Sequence, residues 1–143
     1  MCLMLYLAAA NEIPLRNSPD MSVEEVPPSR EIVRSWFSLP HVRYIGSHSG
    51  CSCGFPSIQS ETPIGYFEGI LAETADRDKD LLSINSLLDL IRPLVRSSGE
   101  IQLYPIWDLE EDKPPKGTIE WPVESLRADT FFFHEQFLHR VCS

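Results

Sequence analysis

The apolar residues Leu81, Leu82, Ile84, Leu87, Leu88, Leu90, Ile91, Leu94 and Val95 recur at the spacing of one helical face. They predict a helix over residues 78–97. Gly99 stands where a C-terminal cap belongs, and Pro93 is placed to kink the last turn. The runs around this segment are too short for such helices and read as strands. Residues 2–9 are apolar throughout, as in a central strand. His41–Ile45 alternates, with β-branched and aromatic side chains. Ile101–Trp107 follows as a further strand, and its Pro105 predicts an edge or a bulge.

Between these runs, Ser29 is placed to cap a second helix over Arg30–Phe37, which Pro40 ends. Residues 11–29, rich in proline, read as an irregular connection. Residues 54–66 and 108–117 read as loops, and Pro122–Leu126 as a single helical turn. The tail Thr130–Val141 reads as two strands about a turn at His134-Glu135-Gln136. The expectation is a single globular domain over 1–143, of class α+β or α/β. A single mixed β-sheet would carry two main helices and end in a C-terminal β-hairpin.

Composition narrows the function classes. With 143 residues, 43% hydrophobic and 23% charged, the chain can bury a core without a disulfide framework. A net charge of −9 argues against nucleic acid and anionic membrane surfaces as partners, because both demand cationic faces. The partner left open is a protein or a small molecule. The acids gather at Glu24-Glu25, Asp76–Asp80 and Asp108–Asp112, which read as solvated loops. Asp76, Asp78 and Asp80 alternate like the start of a calcium loop. Leu81 and Leu87 stand where its Gly and Glu would be, which excludes that reading. The apolar N-terminus lacks the basic flank of a signal peptide, and no stretch reaches the ~20 apolar residues of a membrane span. A cytoplasmic location with reduced thiols is expected.

The chemistry concentrates in Gly46-Ser47-His48-Ser49-Gly50-Cys51-Ser52-Cys53-Gly54. His48, Cys51 and Cys53 offer three metal ligands within six residues, on a backbone that glycine leaves free to turn. A fourth ligand must come from elsewhere, with Cys2, Cys142, His134 and His139 as candidates. Cys2 opens the first strand and Cys142 closes the last, so antiparallel pairing of those strands would bring the two thiols to one end of the sheet. Three readings of the loop stand side by side. It is a metal site, with zinc first; a redox pair or thiolate nucleophile; or a set of structural thiols. His134 and His139 read as surface residues. Trp36, Trp107 and Trp121 read as core or lid aromatics. Phosphate-loop, nucleophile-elbow and His-Glu-x-x-His motifs are absent from the sequence.

Met1-Cys2 before an apolar strand, the segment Tyr44–Phe55 around the Cys/His loop, and Leu103-Tyr104-Pro105-Ile106-Trp107-Asp108 resemble a family of small uncharacterised bacterial proteins. That family carries a Met-Cys start and a Gly-Ser-His-x-Gly-Cys-x-Cys-Gly-Phe loop, and its tail resembles Phe131–Val141. Ser52 stands where the family has a second Gly. The resemblance implies no activity. It implies that Cys2, His48, Cys51 and Cys53 act together, and these four are the expected metal ligands. The function expected is that of a small soluble protein with a zinc or ligand site at this loop. A thiol-based enzyme or redox sensor using Cys51 and Cys53 is one alternative. An acidic protein-interaction module without catalysis is the other.

Overall fold

The computed structural model describes residues 2–55, 57–58, 77–128 and 133–143. Its strands are β1 (Leu3–Ala9), β2 (Arg16–Asn17), β3 (Met21–Glu25), β4 (His41–Ser47), β5 (Ser57–Ile58), β6 (Glu100–Trp107), β7 (Thr118–Pro122), β8 (Phe133–His134) and β9 (Leu138–Cys142). Seven of them form one sheet in the order β2-β3-β4-β1-β6-β9-β7. Only the β7–β9 pair in that sheet is parallel. The mixed sheet of the sequence reading is therefore present, with β1 in the middle.

Both faces of β1 are covered, which is why its sequence shows no alternation. Leu5, Leu7 and Ala9 point to one side and pack with Ile45, Leu103 and the helix α1 (Arg77–Ser98) through Ile84, Leu87, Leu88, Ile91 and Val95. Tyr6 and Ala8 point to the other side and pack with Val42, Tyr44, Tyr104 and Val33. Helix α1 ends as its sequence predicts. Gly99 takes φ +87°, and its N–H donates to Val95 O at 2.7 Å.

The second expected helix is a 3₁₀ segment, Pro28–Trp36. Pro27 takes the cap position instead of Ser29, and no side chain caps the segment. Its hold on the sheet is polar. Arg30 pairs with Asp108 and, at 2.6 Å, with Glu111. Glu111 accepts from Tyr6 Oη at 2.8 Å, and Trp36 Nε1 donates to Glu111 O at 2.8 Å. Burial, then the bond to Glu111, pushes the Tyr6 hydroxyl well above its usual range. Glu111 is therefore a buried structural acid, and so is Asp80 in the first turn of α1. The solvated-loop reading of the acidic clusters fails at these two residues.

Three further expectations change. The connection read as irregular contains β2 and β3, with Met21 and Val23 buried and Glu24 exposed. β6 is an interior strand, so Pro105 is not at a sheet edge. Its carbonyl accepts from Gln136 N–H at 2.8 Å. In an extended strand the missing N–H faces the same way as that carbonyl, beyond the β6–β9 ladder, which ends at Leu103↔His139. No ladder bond to β1 is lost. The terminal hairpin holds in part. A turn follows His134, with Gln136 at φ +63° and Phe137 N–H on His134 O at 3.1 Å. Its flanking strands pair elsewhere, however: β8 with β5, and β9 with β6 and β7. Residues 130–132 of that tail, and residues 59–66 of the expected loop, lie outside the described residues.

Candidate metal and thiol centre

The site forms where β4 parts from β1, although β4 stays paired with β3 as far as Ser47. The β1–β4 ladder reaches only Leu5↔Ile45. Beyond it the Cys loop supplies the acceptors that β4 no longer offers to β1. Leu5 N–H donates to Ser52 Oγ at 2.8 Å, and Leu3 N–H donates to Cys53 Sγ at 3.3 Å. Ser52 Oγ in turn donates to Ile45 O at 2.6 Å. Ser52 is fully buried, and this double bond satisfies its hydroxyl.

The loop itself is tightly tied. Ser47 N–H and Ser47 Oγ donate to Cys51 O at 2.8 and 2.7 Å. Gly50, at φ +88°, makes the reversal, and Gly54 N–H donates to Ser47 Oγ at 3.0 Å. A Cβ on Gly54 would lie 2.6 Å from Ser47 Oγ and 2.8 Å from Ser47 Cβ. Gly54 is thus required by close packing. From there the 3₁₀ turn Ser52–Gly54 directs Cys53 back toward the start of β1.

The sulfurs of Cys2, Cys51 and Cys53 all lie within 4.8 Å of one another. Cys2 is held in place by its own carbonyl, which accepts from Asp108 N–H at 2.8 Å. Cys53 is exposed, and the other two are half-buried. Burial works against ionisation of Cys51. The Cys53 thiol, the Ser49 hydroxyl, the Cys53 N–H and the Cys2 thiol outweigh it as donors, and Cys51 is held below its ordinary value. Ser49 Oγ stands 3.6 Å from that sulfur. Cys53 moves the opposite way, to about 11. Burial and its bond to Cys51 raise it, against the Leu3 N–H. Of the coupled pair Cys51 and Cys53, Cys51 is the sulfur whose ionisation these contacts favour.

Three of the four expected ligands are therefore together. His48 is outside that cluster. Its Nε2 lies 2.7 Å from Asp80 Oδ1, and its backbone N–H donates to Ser83 Oγ at 3.0 Å. Ser83 Oγ passes the link on to Asp20 O at 2.7 Å. His48 thus fastens the loop to α1 and to the turn before β3. It also lines, with Arg16, Ser22, Glu24, Ser47 and Gly50, a groove of about 1010 Å³. The sequence offered no sign of Asp80 or Ser83 as partners, because the contact is set by where α1 begins.

The other fourth-ligand candidates are elsewhere. β1 and β9 both run antiparallel to β6, so they are parallel to each other. Cys142 sits opposite Glu100, at the end of the sheet away from Cys2, which lies beside Asp108. His134 and His139 are buried rather than at the surface. His139 Nε2 accepts from His134 N–H at 3.0 Å, and its ring centroid is 4.6 Å from that of Trp121. Burial and the nearby His134 push His139 down to about 3.

Compared with family models, with curated proteins and with solved structures, the chain matches none.

Proposed function

We propose that this protein binds a thiophilic metal ion, zinc first, through Cys2, Cys51 and Cys53. The observation that carries the reading is the convergence of three sulfurs within 4.8 Å. Zinc–thiolate bonds of about 2.3 Å in tetrahedral geometry place sulfurs about 3.8 Å apart, so small side-chain rotations close the set. The surroundings suit thiolates: Leu3 N–H already donates to one sulfur and the Ser49 hydroxyl faces another. Zinc held by three protein ligands keeps a position for water or a substrate, where it acts as a Lewis acid. His48, held by Asp80, supports the loop from behind and is not needed as a ligand.

The chemistry calls for a reducing compartment, as the cytoplasm provides. No described helix is long and apolar enough to cross a membrane. Equilibrium dialysis of the reduced protein against zinc tests the proposal. One zinc per chain is expected, lost in Cys2→Ser, Cys51→Ser and Cys53→Ser alike. Full zinc binding by all three variants would refute it.

A thiol-reactive function is the second reading, favoured by the donors gathered on the Cys51 sulfur. Under it, iodoacetamide should label Cys51 ahead of Cys2, Cys53 and Cys142 near neutral pH. Equal labelling of the four would dismiss it.

A further inference from the structure

We propose that the three-sulfur centre is a receptor for trivalent arsenic, a three-coordinate thiophile, in addition to the zinc of the preceding reading, on which this inference rests. Three features of the cluster lead there. The donor set is sulfur alone. Among the described residues no His, Asp or Glu joins Cys2, Cys51 and Cys53. The nearest imidazole in sequence, His48, is engaged 2.7 Å from Asp80. A nitrogen-free, oxygen-free set favours the softest ions.

Charge balance points the same way. Three thiolates around zinc leave one negative charge uncompensated, on a chain whose formal net charge is already −9. Three thiolates around trivalent arsenic form a neutral unit, which a half-buried site accommodates without a counter-charge. Geometry is the third feature. Trivalent arsenic binds its three ligands on one side and carries a lone pair on the other. The sulfurs here converge from two directions, the start of β1 and the Ser52–Gly54 turn, and Cys53 keeps an exposed side.

The binding step balances without an oxidant. Arsenous acid meets three thiols. Each As–O bond is replaced by an As–S bond, and each thiol proton leaves with a hydroxide as water. Three waters depart, and no oxidation state changes.

Arsenite added to the zinc-loaded, reduced full-length protein under anaerobic conditions tests this, read by native mass spectrometry and by counting reactive thiols. One arsenic per chain should displace the zinc at equimolar arsenite and protect three thiols, leaving Cys142 reactive. Cys2→Ser should weaken arsenic binding roughly a hundredfold, the loss expected for one tethered ligand of a chelate. Cys142→Ser should leave it unchanged. Zinc retained against a large excess of arsenite would overturn the inference while leaving the zinc reading intact. Arsenic bound as tightly by Cys2→Ser as by the wild type would also overturn it. A chain that takes up neither ion would sink both.

Discussion

Cys51 is the residue on which the site's other groups converge, and His48 is the residue that stands apart from them. That contrast yields a residue-level prediction. His48→Ala should keep its zinc stoichiometry yet melt at a lower temperature, because the loop loses its tie to Asp80. The charge-assisted part of that tie is worth about 1–3 kcal/mol. Loss of zinc in a folded His48→Ala would restore His48 as a ligand. Cys142→Ser should match the wild type in both readouts, measured by dialysis and calorimetry, since Cys142 lies opposite Glu100 at the far end of the sheet. Much of this site was legible in the sequence. Cys51 and Cys53 share one glycine-flanked turn, and Cys2 stood among the four candidates for a further ligand. His48 faces Asp80 instead of the sulfurs, and spacing along a chain does not give side-chain direction. The orientation of His48 depends on Asp80, a residue 32 positions away.

At the level of elements, the parting of β4 from β1 creates the site. β1 runs on unpaired on that side, and Ser52 and Cys53 satisfy its amides. Ser52→Ala should therefore be costly for so small a change. It strands Leu5 N–H and Ile45 O in a buried position, at about 1–3 kcal/mol each if no water reaches them. Chemical denaturation should show a lower midpoint with an unchanged slope. A loss under about 0.5 kcal/mol, the range of ordinary surface changes, would mean that Ser52 is not the clamp described. The elements themselves were unevenly readable. Helix α1 was plain because its apolar stripe and its capping Gly99 agree, and it runs on through Pro93. β3 was missed although Met21 and Val23 alternate with polar residues, because the neighbouring prolines dominated the reading. β7 was missed as well. Its residues Thr118–Pro122 are half-buried or exposed and leave little hydrophobic pattern. The C-terminal turn was placed well, but partner choice was not. β8 and β9 pair with strands distant in sequence, and local pattern carries no information about that.

For the whole molecule, the buried His139 links stability to pH. Its folded value of about 3 lies below the ordinary 6.5, so the unfolded chain binds its proton first as pH falls. Stability from this group is complete above about pH 6.5 and declines from there toward pH 3, by about 2 kcal/mol at pH 5. His134, lowered by burial, adds in the same direction. With a chelator present throughout, so that metal release on thiolate protonation does not contribute, the change in denaturation midpoint between pH 7 and 5 reports on the histidines. His139→Gln, which keeps an acceptor for His134 N–H, should flatten the slope. An equally steep slope in that variant would assign the effect elsewhere. The central claim, that Cys2, Cys51 and Cys53 form a metal site, joins the start of β1 to the loop after β4. Metal binding should therefore be felt by the fold as a whole. The most direct test is elemental analysis of freshly purified, untagged protein, paired with melting curves with and without a chelator. The account predicts one zinc per chain. It also predicts a melting temperature that the chelator lowers by roughly 5–10 °C, from about 2.7 kcal/mol at a hundredfold excess of metal over its dissociation constant. Substoichiometric metal together with chelator-insensitive melting would contradict it.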